Sequence, residues 1–113
     1  MLKASSVLSI FLLISAVSMT TVSARDWQVG DNGLSRWDWN CDFNGHDISC
    51  SPASGEQCGG ICIAHASTSS PPCSHFTYSG GTCCIKRSRS SLREQFHSGA
   101  VCGFIPGRSR QTI

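Results

Sequence analysis

With 113 residues, eight cysteines and a formal net charge of +2 at pH 7, the chain has room for one domain and is not uniformly basic. An even and dense set of cysteines leaves no spare thiol for nucleophilic chemistry and points to structural disulfides in an oxidising compartment. No nucleic-acid partner, cofactor or metal is expected. Lys3, the apolar run from Val7 to Val17 and the small-residue pattern Val22-Ser23-Ala24 read as a secretory signal peptide over 1–24, cut after Ala24. The run is too short for a membrane span of about 20 residues, so the expected product is secreted and extracellular. Residues 25–35 read as an irregular leading segment, because Gly30, Asn32 and Gly33 interrupt any period.

The domain is expected over 36–105. Arg36 to Phe43 alternates polar and large apolar residues at period two, the pattern of a half-buried strand. Asn44-Gly45 turns the chain, and His46 to Ser49 resumes a short strand. Ser54 and Gln57 have the spacing of a reciprocal helix cap, and Cys58, Ile61, Cys62 and His65 follow at helical spacing. Gly59 and Gly60 weaken that helix by about 1 kcal/mol each relative to alanine, a cost that close packing against another element would justify. The run Ser67 to Pro72 ends the helix as a loop. Cys73 to Tyr78 and Thr82 to Lys86 form a hairpin around Ser79-Gly80-Gly81. Arg87 to Arg93 reads as an exposed basic loop, Ala100 to Ile105 as a last strand, and 106–113 as a flexible tail. The result is an α+β module of one helix and four to five short strands.

Spacing alone leaves the cysteine pairing open. Cys58 and Cys62 share a helix face and reach towards a strand below it. Cys73 and Cys83 or Cys84 flank the hairpin as natural partners, while Cys41 and Cys102 can clamp the first and last strands. A zinc site using His65 and His75 lacks the usual knuckle spacings and is not expected.

Four segments in order resemble a form of the PAN/Apple domain: Cys41-Asp42-Phe43-x-Gly45-x-Asp47-Ile48, Gln57-Cys58-Gly59-Gly60-x-Cys62, Cys73-x-His75-Phe76-Thr77-Tyr78 with Gly81-Thr82-Cys83-x-x-Lys86, and Gly99-Ala100-Val101-Cys102-Gly103. The resemblance covers Trp37 to Phe104 and implies an antiparallel sheet crossed by one helix. It also implies the bridges Cys41–Cys102, Cys58–Cys83 and Cys62–Cys73. Where such domains usually carry an aromatic residue after the hairpin cysteine, this chain has Cys84, which leaves Cys50–Cys84 as an additional expected pair. Exchanging Cys83 and Cys84 would change loop lengths little, so that choice stays open at this point.

The resemblance implies a non-catalytic module that binds carbohydrate or protein. Trp37, Trp39, His75, Phe76 and Tyr78 are the candidates for stacking on a sugar ring, although Phe43, Phe76 and one tryptophan are also candidates for the core. Lys86, Arg87, Arg89 and Arg93 are the candidates for anchoring an anionic glycan or an extracellular protein partner. A disulfide-rich toxin or protease inhibitor presenting Arg87 or Arg89 is a further alternative. An enzyme is not expected: no Gly-x-Ser-x-Gly context and no evident glycosidase carboxylate pair occur, and Asp42, Asp47 and Glu56 read as turn, cap or surface carboxylates.

Overall fold

The computed structural model describes residues 25–65 and 71–112. The expected signal peptide and much of the loop after the helix lie outside the described residues. The chain forms β1 (Gln28–Gly30), a 3-10 turn (Asp31–Gly33), β2 (Ser35–Phe43), β3 (Asp47–Pro52), α1 (Gly55–Ala64), β4 (His75–Ser79), β5 (Thr82–Lys86) and β6 (Glu94–Phe104). The strands make one antiparallel sheet in the order β1-β2-β6-β4-β5-β3. The α+β architecture is as expected, but the sheet has six strands instead of four or five. The additional strand is β1, from the segment read as irregular: Gln28 to Gly30 pair with Trp37 to Ser35, despite the glycine at the strand end.

The first half of β2 faces the helix, but the strand does not hold one face throughout. Trp39 pairs with Val101 and Cys41 with Phe96, so His97 to Ala100 together oppose the single residue Asn40. Asn40 takes a left-handed φ of 57° and accepts the Gly99 N–H at 2.9 Å through its side-chain oxygen. The irregularity sends Cys41 and Phe43 into a cluster with Cys102, Trp27 and Leu92, separate from the cluster against which Trp37 packs. A strict period-two strand would have kept all four residues together.

Helix α1 starts as its sequence requires. Ser54 and Gln57 form the reciprocal cap, with the Ser54 N–H donating to Gln57 Oε1 at 3.1 Å. Cys58 and Cys62 are buried and bond to Cys83 in β5 and to Cys73, two residues before β4, so two covalent links hold the helix against this side of the sheet. Phe76, Ile85 and Ile105 complete this cluster. Cys41–Cys102 joins the two longest strands, and Cys50–Cys84 links directly opposed residues of β3 and β5. Cys83 therefore goes to the helix and Cys84 to the neighbouring strand. Loop-closure entropy assigns about 4 kcal/mol to the 41–102 link and about 3 kcal/mol to the 62–73 link, taken singly. Gly80 and Gly81, with φ of 57° and 82°, close the β4–β5 hairpin in a conformation that other residues resist.

The C-terminal segment departs from the expected flexible tail. The Arg108 guanidinium donates to the carbonyls of Cys62, Cys73 and Ile63 at 3.0–3.2 Å, tying off the end of the helix. Gln111 accepts from the Leu92 N–H at 2.7 Å and donates to the Leu92 carbonyl at 3.1 Å. These bonds satisfy backbone groups that short connections would otherwise leave unpaired. β6 also begins earlier than expected, at Glu94, because its exposed first half carries no hydrophobic alternation.

Candidate functional site

A cleft of about 550 Å³ opens between the first turn of α1 and the helix-facing side of β2, β6 and β4. Its walls are mainly apolar, and the volume suits one or two rings of a small ligand. Trp37 and Trp39 project from alternate positions of β2, their rings meeting edge to face with centroids 5.0 Å apart. Trp37 is half-buried and packs on the core, whereas Trp39 is 58% exposed. Tyr78 enters from β4 beneath the helix start. A Cβ on Gly55 would lie 3.3 Å from its ring, so the helix backbone rests close to that ring. Phe76 lines the base and is buried, a core role that the sequence had left open.

Two carboxylates enter the same cleft. Glu56 stands in the first turn of α1, where the helix dipole favours negative charge. Asp31 comes from the turn after β1, with φ of 52°, followed by Asn32 at 57° and Gly33 at 93°. Two adjacent non-glycine residues in the left-handed region cost on the order of 1 kcal/mol each, and the surroundings hold them there. The buried Ser35 hydroxyl donates to Asp31 Oδ2 at 2.6 Å, and the Leu34 N–H donates to the Asp31 carbonyl at 3.1 Å. The Asp31 carboxylate also fills the space over Gly59, where a Cβ would overlap it. Neither carboxylate was singled out from the sequence as a site residue. The signal present was Gly59-Gly60, which marked a close approach to the helix without saying by what.

The other candidates lie elsewhere. His75 is completely buried, between the rings of Phe43 and Phe104 at 4.9 and 6.4 Å. Because Gln111 is oriented by Leu92, its Oε1 accepts from His75 Nε2 at 3.0 Å, which leaves Nδ1 2.8 Å from the Ser74 hydroxyl. Burial lowers the His75 pKa below 6.5, helped by the charges of His46 and Lys86 and opposed by the Gln111 hydrogen bond. The expectation that His75 contacts a ligand is therefore corrected: its ring belongs to the core. Lys86 is corrected likewise. It is buried, with Nζ bonded to Asp47 at 2.6 Å and to the Gly45 carbonyl at 3.1 Å, so it is no free anchor. Arg87 is half-buried and donates to the Pro71 carbonyl. Arg89 and Arg93 are exposed, and the backbone N–H of Arg110 donates to the Arg89 carbonyl, bringing the tail beside this basic loop.

The ligand atoms of Asp47, Cys50 and Cys84 lie within 4.8 Å of one another, but both sulfurs are committed to a disulfide and offer no thiolate to a metal. Among the described residues no helix is long and apolar enough to cross a membrane. The fold and its cleft define a small α+β domain stapled by four disulfides, with an aromatic, acid-lined groove beside its helix. No protein-family model, curated protein or solved structure matches the chain.

Proposed function

We propose that the protein is a secreted, non-catalytic carbohydrate-binding module of PAN/Apple type, and that its ligand site is the cleft holding Trp37, Trp39 and Tyr78. The observation that carries this reading is the convergence of those three rings on one open groove beside two carboxylates. Sugar rings offer flat C–H faces edged with hydroxyls. Exposed aromatic faces receive the former, and carboxylate oxygens accept hydrogen bonds from the latter. Four disulfides suit an oxidising, extracellular setting. The resemblance to PAN/Apple domains is supported by the helix bonded to an antiparallel sheet.

The test is a tryptophan-fluorescence titration of the oxidised, secreted chain with oligosaccharides, run beside Trp39→Ala. Saturable quenching that the substitution removes supports the reading. Absence of binding across the panel sinks it. The presence of two carboxylates in the groove makes product analysis part of the same experiment, since release of shortened sugars would contradict a non-catalytic role.

The exposed Arg89 and Arg93, with the Arg110 backbone bonded beside them, favour a second reading in which this loop docks an acidic extracellular protein. Binding through the loop would fall steeply with salt and survive Trp39→Ala.

A further inference from the structure

The charged lining of the cleft is of one sign. Here the charged groups are Asp31 and Glu56, which only accept, and no lysine, arginine or histidine lines the groove. The Ser35 hydroxyl is spent on Asp31 Oδ2, while Ser54, Tyr78 and the indole N–H groups of Trp37 and Trp39 are the other side-chain donors in the lining. Among the described residues, Asp31 Oδ1 and both oxygens of Glu56 receive no hydrogen bond, and neither carboxylate forms an ion pair. The acceptors share the cleft with the aromatic rings of Trp37, Trp39 and Tyr78, and aromatic faces attract cations through the ring quadrupole.

Building on the carbohydrate reading, we infer that the cleft selects glycans bearing free primary amines, with the ring against Trp39 and the ammonium held by Asp31 and Glu56. An ammonium carries three donors and no acceptor, which complements a pair of unpaired carboxylates. Acetylation of the amine removes the charge and replaces it with an amide that brings an acceptor of its own. A hydroxyl at the same position is neutral. The geometry therefore discriminates the free amine from both close relatives.

The experiment compares three six-ring β-1,4-linked probes on the oxidised, secreted chain by calorimetry: glucosamine, N-acetylglucosamine and glucose oligomers. A lysine-rich peptide serves as a fourth probe. The glucosamine oligomer is expected to bind about tenfold tighter than the other two glycans at low salt, with the advantage shrinking as salt rises. Glu56→Gln and Asp31→Asn are each expected to reduce that advantage by about three- to fivefold. Glu56 is exposed in a first turn, and asparagine tolerates the left-handed backbone at 31, so both variants should fold. Equal or weaker binding of the amine form, or a preference untouched by either variant, overturns amine selection and leaves the carbohydrate reading standing. Failure of all three glycans removes the carbohydrate reading itself. Equally tight binding of the lysine peptide overturns the assignment to a glycan.

Discussion

The carboxylate of Asp31 occupies the space that a Cβ at position 59 would need, so the turn after β1 and the helix α1 interlock at a glycine. The glycine weakens the helix locally but lets an acidic side chain pass beneath it into the cleft. Gly59→Ala should displace Asp31 and press on Phe76, costing about 1–3 kcal/mol by overpacking and weakening ligand binding together. Gly60→Ala is the contrast. Its Cβ would meet Asp31 Oδ1 at an ordinary 3.6 Å, so the gain in helix propensity of about 1 kcal/mol should prevail. Opposite shifts in denaturation midpoint are the expected result, and parallel shifts would refute the interlock.

The two tryptophans should separate stability from binding. Trp39→Ala removes a mostly exposed ring and should change stability by no more than about 0.5 kcal/mol while lowering glycan affinity about tenfold. Trp37→Ala should cost about 2 kcal/mol, because its ring packs on the core as well as lining the cleft. Urea unfolding and binding measured on both proteins decide this.

Acid should weaken the fold through His75. Its folded-state pKa lies below the ordinary 6.5, so as pH falls the unfolded chain takes up this proton first. The contribution is complete above pH 6.5 and is lost on acidification below it, by at most about 1.4 kcal/mol per pH unit. Unfolding free energies measured between pH 7.5 and 5 should fall for the parent chain. His75→Gln should lower stability at neutral pH and flatten that slope, and an unchanged slope would exclude His75 as its source.

Reductants should find one disulfide first. Cys50 is exposed and Cys84 half-exposed, whereas the other six cysteines are buried. A limiting dose of a thiol reductant, followed by alkylation and peptide mapping, should label Cys50 and Cys84 ahead of the rest. Early labelling of Cys58 or Cys62 would mean that the helix lifts from the sheet more readily than its packing indicates.

Much of the architecture was legible because local signals agreed with the fold. The Ser54/Gln57 spacing, the Gly80-Gly81 turn and the alternation from Arg36 each mark the element they form. The three bridges implied by the PAN/Apple resemblance and the additional Cys50–Cys84 pair left over by it coincide with the four bonds present, whereas spacing alone left the pairing open. What escaped the sequence depends on partners distant along the chain. β1 exists because β2 offers it an edge, and the switch of faces at Asn40 depends on four residues of β6. His75 resembled a ligand contact until Gln111 and two phenylalanines enclosed it. In the cleft, the aromatic residues were visible by type. The carboxylates were not, because an aspartate among turn residues gives no hint of the helix it will meet.

The four disulfides are concentric along the chain: 41–102 encloses 50–84, which encloses 58–83, which encloses 62–73. A nested set can be sealed from the inside outward, each closure bringing the next pair nearer by shortening the path between them. A chain emerging from its N-terminus would have the three inner pairs available before Cys102 appears, and the outermost bond would fasten β2 to β6 last. Oxidative folding then requires no crossing of one loop through another, and pulse-quenched intermediates should accumulate with Cys41 and Cys102 as the last free thiols.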